Sequence, residues 1–178
     1  LTSKVELRIS FYIFTLLCAA GLYLSEQLVE IHVLASMGAA DTGICASGAG
    51  FSCNDVARSA LAEMAGIPIA SIGFAFYLTA LLMVFVRRFF SQLPLFAALP
   101  DVFVIGGLLS LLYSIFLGVM SSVVVGKLCP LCIGLYAVNL GLFLTAWFSH
   151  PDGGRSALKG ALGILKDPAL WATIVILI

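Results

Sequence analysis

Charged positions in this chain are clustered, and long uncharged stretches lie between the clusters. There are 17 uncharged residues between Arg8 and Glu26, 23 between Glu63 and Arg87, 25 between Asp101 and Lys127, and 24 between Lys127 and Asp152, together half of the 178 residues. As helices rising about 1.5 Å per residue, runs of this length suit roughly 30 Å of hydrocarbon. They predict four membrane-spanning helices, over about 9–28, 69–90, 102–125 and 130–149. A fifth apolar run, from Ala169 to Ile178, is too short to cross by itself. It reads as the start of a fifth spanning helix that continues past Ile178. Glu26 and Glu30 follow the first run without a small-residue cleavage site, so that run is a helix of the mature protein rather than a signal peptide.

Composition agrees and narrows the class. The chain is 62% hydrophobic, and its 17 glycines take the apolar share to about 72%, against the 45–50% of a soluble domain. Charged residues are 10%, where about 25% is usual. A net charge of zero with no basic patch also excludes a nucleic-acid binder, and the apolar content excludes a disordered segment.

Charge then gives the spans a direction. Lys4, Arg8, Arg87, Arg88, Arg155, Lys159 and Lys166 fall on one side of the four-span pattern, and only Arg58 and Lys127 on the other. By the positive-inside rule the first side is cytoplasmic, and the long loop 29–68 and the turn before the fourth span face outward. Four of the five cysteines, Cys45, Cys53, Cys129 and Cys132, therefore lie on the oxidising side, where disulfides form and persist. Cys18 sits within the first span and reads as packing.

Cys129-Pro130-Leu131-Cys132 opens the fourth span. Pro130 suits the first helical position, because its missing N–H is an unused donor there. Cys129 then falls near the cap and Cys132 in the first turn, where free N–H groups and the positive end of the helix stabilise a thiolate. Lys127 adds a nearby positive charge. A thiolate held there at the membrane surface is placed to meet a lipid-soluble oxidant; the alternative is a structural disulfide. In the outer loop, Cys45 and Cys53 are separated by small residues including Gly48 and Gly50, which suits a cysteine that swings between partners. Ser52 and Asp55 form a capping box for a short helix. Its apolar face is Val56, Ala57, Ala60, Leu61 and Met64, with Gly66 and Pro68 ending it. That helix is expected to lie in the interface and cover the bundle. A Cys₄ metal site is the rival use of the four thiols, although zinc sites favour two short Cys-x₂₋₄-Cys arms and one arm here has seven residues between its cysteines.

The third span repeats a small residue every fourth place, at Gly106, Ser110, Ser114, Gly118, Ser122 and Gly126, which allows close helix approach in lipid. Its outer end, at Ser121 and Ser122, comes near the cysteines. Tyr136 and Asn139 follow Cys132 by four and seven residues and share its helix face. Polar groups turned into a membrane bundle beside a reactive thiol suggest a cofactor pocket; an interfacial anchoring role for Tyr136 is the alternative. His32 and His150 lie outside the spans and receive no role.

With these residues in hand, the chain resembles the bacterial form of the vitamin K epoxide reductase family. The likeness covers roughly residues 9–149. It rests on Cys45-x₇-Cys53 in the first outer loop, Cys129-Pro-Leu-Cys132 opening the fourth helix, and Tyr136-Ala-Val-Asn139 after it. The resemblance implies an all-α four-helix transmembrane bundle, residues 1–150, around a quinone such as ubiquinone or menaquinone. It implies that Cys45 takes electrons from a thioredoxin-like partner or fused domain, that Cys53 exchanges with Cys129, and that Cys132 reduces the quinone beside Tyr136. Residues 151–178 are then a cytoplasmic loop and the start of the fifth helix. Vertebrate members place an Asn near the start of the second helix; here Ile69–Gly73 has none, and Ser71 is the candidate in its place. Cys132, Tyr136, Ser71, Ser121 and Asn139 thus form the expected quinone pocket. The protein is expected in the bacterial inner membrane, with its cysteines extracytoplasmic and with lipid but no nucleic acid among its partners. The competing class is a non-enzymatic membrane protein with structural disulfides or bound metal; transport is disfavoured because the spans lack ionisable coupling residues.

Overall fold

The apolar runs carry proline only in their first turns, so in lipid they satisfy their backbone groups in the one open-ended way available, as helices. The structure is a computed structural model. It describes residues 2–38, 45, 50–90 and 99–165, with side chains from 9 to 160 within them. In chain order the helices are α1 (Thr2–Ser36), α2 (Cys53–Ala57), α3 (Ile69–Phe90), α4 (Leu99–Met120), α5 (Pro130–Ser149) and α6 (Gly154–Leu165). Among the described residues, four segments are long and apolar enough to cross a membrane: Ile9–Ser36, Ile69–Phe90, Leu99–Val125 and Pro130–Ser149. The expected all-α membrane bundle is therefore present. The run from Ala169 lies outside the described residues.

α1 outlasts its expected end by two turns. Glu26 and Glu30 do not stop the helix; nothing breaks it before Gly38, whose φ of 85° ends it, its N–H bonded to Ala35 O at 3.1 Å. α1 packs on both α3 and α5, and α4 lies along the far side of α5. Of the pairs that adjoin around the bundle, α3 and α4 touch least, so the bundle is open between them. The core joins Phe14 and Cys18 of α1, Tyr77 and Ala80 of α3, Phe103 and Val104 of α4, and Val138 and Leu142 of α5. Cys18 is fully buried in it, as packing requires.

Two local expectations are corrected. The amphipathic helix foreseen through Met64 stops at Ala57. Arg58 caps it, Ser59 turns extended, and a 3₁₀ turn (Ala60–Ala62) leads into a two-stranded ribbon, β1 (Glu63–Met64) against β2 (Ile67–Pro68). Ala65 and Gly66 make the ribbon's tight turn at φ 54° and 77°, the left-handed pair that such a hairpin requires. The stretch foreseen as a plain loop after the fourth span carries α6, which packs on α4 and α5 with Ala157 buried. Gly154 seats α6 directly on the Trp147 ring, where no side chain would fit. His150, just past α5, meets Asp101 of α4 at 2.9 Å and closes that end of the bundle.

The closest approach of α4 to α5 is not made by the small-residue stripe. Gly107, outside the stripe, makes the close approach: a Cβ there would stand 3.0 Å from Phe143 Cα on α5. Gly106, Ser110 and Ser114 instead face a cavity.

Candidate functional site

The four outer cysteines gather at the end of the bundle formed by the last turns of α1 and α4 and the first turns of α3 and α5. Two backbone devices bring them together. Gly126, at φ 69°, ends a π-type turn (Ser121–Val125) that closes α4, and the chain then runs beside residues 50–52. Leu128 N donates to Gly50 O and Ser52 N donates to Leu128 O, both at 3.0 Å. Cys53 and Cys129, the next residues on each segment, are thereby made neighbours.

Ser52 caps α2 by accepting the Asp55 N–H on its Oγ at 3.1 Å. Only this half of the expected capping box is seen, because the Ser52 N–H is given to Leu128. Cys129 caps α5, accepting the Cys132 N–H on its sulfur at 3.4 Å, and Pro130 takes the first helical position as expected. The thiol of Cys129 thus stands at the positive end of α5, where helix N–H groups favour negative charge.

A disulfide joins Cys45 to Cys53. Cys129 Sγ donates to Cys53 Sγ at 3.2 Å, and all three sulfur-bearing residues are buried. Leu28, Ile31, Val56 and Leu131 wrap the cluster in apolar side chains, which keeps competing water away from an exchange between sulfurs. These three sulfurs lie within 4.8 Å of one another, a spacing that a metal ion also accepts.

Cys53, Cys129 and Cys132 open into a cavity of about 480 Å³ that runs down between α3 and α4. That volume and its mostly apolar wall suit a small organic ligand. Tyr136 and Asn139 line it, as their spacing from Cys132 foretold, and so does Ser121. Tyr136 lies across Gly118, whose Cβ position is 3.2 Å from the ring. The Ser121 hydroxyl, however, donates to Lys127 O at 2.7 Å, so it braces the turn before the cysteines as well as facing the cavity. Ser71 is on α3 between two lining residues, Ala70 and Ile72, and does not itself line the cavity.

Tyr77 and Ser114 were not foreseen as site residues. Tyr77 OH donates to Asn139 Oδ1 at 2.7 Å, Asn139 Nδ2 donates to Ser114 Oγ at 2.7 Å, and Ser114 Oγ donates to Ser110 O at 2.9 Å. This buried chain links α3, α5 and α4 across the cavity floor. It fixes the Asn139 amide, whose second N–H has no hydrogen-bond partner among the described residues. A signal for Tyr77 existed in its phenol within an otherwise apolar run, but only the fold pairs it with Asn139.

The family model for the vitamin K epoxide reductase family matches residues 12–147 of this chain. No curated protein matches the sequence.

Proposed function

Since the chain belongs to the vitamin K epoxide reductase family, whose members are membrane thiol–disulfide oxidoreductases that work with a quinone, we propose that it makes disulfides in a thioredoxin-like partner or fused domain and passes the electrons to ubiquinone or menaquinone. The observation that carries this reading is the 3.2 Å separation of Cys129 Sγ from Cys53 Sγ of the Cys45–Cys53 disulfide, at the mouth of the cavity.

A partner thiolate attacks Cys45, the Cys45–Cys53 bond breaks, and Cys53 leaves as a thiolate. Cys53 then attacks Cys129 of the oxidised Cys129–Cys132 pair, and Cys132 leaves as a thiolate. The partner's second thiolate next displaces Cys45 and completes the partner disulfide; Cys45 re-forms its bond to Cys53, and Cys129 leaves as the second thiolate of a reduced Cys129–Cys132 pair. Each exchange forms one S–S bond, breaks another and moves one electron pair. The cavity fits a quinone: its wall is apolar, and it includes Tyr136 and Asn139, whose amide has a second N–H, besides the one given to Ser114, for a carbonyl oxygen. A quinone bound there supplies the acceptor for two electrons and two protons. Tyr136 and Asn139 bind and orient, Cys132 delivers electrons at the wall, and the apolar shell around Cys53 and Cys129 excludes water from the exchange.

The basic residues support an orientation with the cysteine end outward. Arg87 and Arg88 close α3, and Arg155 and Lys159 lie on α6, at the opposite end of the bundle. In a bacterium this is the inner membrane with its cysteines extracytoplasmic.

The three clustered sulfurs favour zinc as the second reading. It requires Cys45 and Cys53 as thiolates, whereas they are bonded to each other here. Purified protein is expected to oxidise a reduced thioredoxin-like protein only when quinone is supplied, and Cys132→Ala to abolish quinone reduction. Turnover retained in that variant, or stoichiometric zinc held against a chelator, refutes the proposal.

A further inference from the structure

Relay by thiolates moves electrons without protons. A partner dithiol that reacts as thiolates leaves its two protons in the outer water, while each exchange only replaces one S–S bond by another. Reduction of a quinone in the cavity consumes two protons, and the Cys132 thiolate released on the way must itself be protonated or neutralised in a buried place. Protons therefore need their own route to the cavity.

The polar chain on the cavity floor is not that route. Each of its hydrogen bonds points the same way, from Tyr77 to Asn139 to Ser114, and it ends on the Ser110 carbonyl, which has no proton to give. Among the described residues the cavity wall carries no carboxylate, guanidinium or ammonium group. Its titratable groups are cysteines, tyrosines and one imidazole, that of His32.

His32 sits one turn beyond Leu28 on α1, and Leu28 packs against the cysteine cluster. Its Nε2 lies 3.1 Å from Glu63 Oε1 on β1. A carboxylate only accepts, so Nε2 carries the hydrogen and Nδ1 is left as the second exchange site of the ring. The His32 side chain is 15% exposed and that of Glu63 is 51% exposed. The pair thus reaches from the cavity wall to open solvent. Arg58, the nearby cation of this covering segment, is engaged elsewhere, donating through Nε to Ala35 O at 2.9 Å.

We propose that His32, backed by Glu63, is the proton inlet of the cavity: it takes protons from the outer water and passes them to the Cys132 thiolate and to the reduced acceptor. The net balance is one partner dithiol oxidised, two protons released outside, one quinone reduced to quinol, and two protons taken in through His32. The proposal rests on the quinone reading only for the protons' final destination.

The test therefore begins without quinone. In the reduced, quinone-free protein transferred to D₂O, the S–H infrared band of the cavity cysteines is expected to exchange at least ~10-fold more slowly in His32→Gln, with added imidazole restoring the rate. Loss of a general acid–base group costs roughly 10²–10⁴-fold in rate, so single-turnover quinone reduction should fall by ~10²-fold and recover with imidazole. Glu63→Gln, a change on a half-exposed side chain, should slow both processes to a smaller extent. Exchange at the wild-type rate in either variant overturns the proposal. So does slowing in His32→Gln that imidazole fails to restore, which is the mark of a purely structural role. Wild-type protein that exchanges its thiols but never reduces quinone overturns the functional reading instead, and leaves the inlet to be judged by the exchange rates.

Discussion

Gly21 on α1 is the notch into which Tyr77 of α3 fits, and Gly21→Ala closes it. The new Cβ would stand 2.5 Å from both Cδ1 and Cε1 of Tyr77 and 2.7 Å from Cγ. Carbon atoms in contact settle at about 3.5–4.0 Å, so the ring must move by roughly 1 Å. Tyr77 is 2% exposed and its hydroxyl is held by Asn139 at 2.7 Å, so movement on that scale breaks the hydrogen bond. Two costs follow. Overpacking of a filled core is worth about 1–3 kcal/mol. Leaving Asn139 Oδ1 buried without its donor adds about 1–2 kcal/mol, above the ~0.6 average for hydrogen bonds between membrane helices, because both partners are shut off from water. Against this, alanine is the better helix former by about 1 kcal/mol. The net expectation is a loss of about 2–3 kcal/mol, read by reversible unfolding in mixed micelles followed by circular dichroism. In a Tyr77→Ala background the clash and the hydrogen bond are both gone. There the same Gly21→Ala change should be neutral or stabilising by up to ~1 kcal/mol. Equal losses in the two backgrounds would show that Gly21 does not act through Tyr77 and would refute the reasoning.

Other changes test the cavity and its cover. Gly118→Ala places a Cβ 3.2 Å from the Tyr136 ring, which the cavity gives room to yield; quinone Kd should rise several-fold with stability nearly unchanged, and an unaltered Kd would remove Tyr136 from the binding wall. Arg58→Ala deletes the side-chain bond that ties the covering segment to Ala35 O, so maleimide labelling of Cys132 should quicken by about 10-fold, the equivalent of ~1.4 kcal/mol; unchanged labelling would show that this bond does not hold the cover down. Ser52→Ala removes the cap of α2, worth about 1 kcal/mol, and should slow Cys53–Cys129 exchange in stopped-flow fluorescence, because the α2 start no longer holds Cys53 in place. An unaffected exchange rate would mean that the backbone bonds to Leu128 suffice.

Much of this architecture is legible in one dimension because lipid is an unforgiving solvent. A run without charges must cross it or avoid it, and a crossing run must be a helix. The starts of the second and fourth spans, at Ile69 and Pro130, were readable, since Pro68 and Pro130 punctuate them. The Cys129 cap was readable too, because a proline at the first helical position leaves little choice about what precedes it. The segment after Cys53 was harder. Its apolar residues fit a helical face, but five residues of helix, a 3₁₀ turn and a hairpin bury them equally well, and periodicity cannot separate these over so short a stretch.

Inside the spans the hydrophobic pattern says almost nothing about facing. Leu16 and Phe148 are 70% and 80% exposed, while Val104 and Leu142 are buried; all four are equally apolar, since hydrocarbon rewards the same side chains as the core does. Uncharged runs and cysteine spacing were therefore enough to establish a four-span bundle with four thiols at one end. Only the packed fold could decide that α3 and α4 stand apart, that Ser110 and Ser114 face a cavity while Gly107 makes the helix seam, and that Tyr77 reaches Asn139 sixty-two residues away. Those choices depend on which apolar surface meets which, and in a membrane that information lies in shape and in the few polar contacts, not in hydrophobicity.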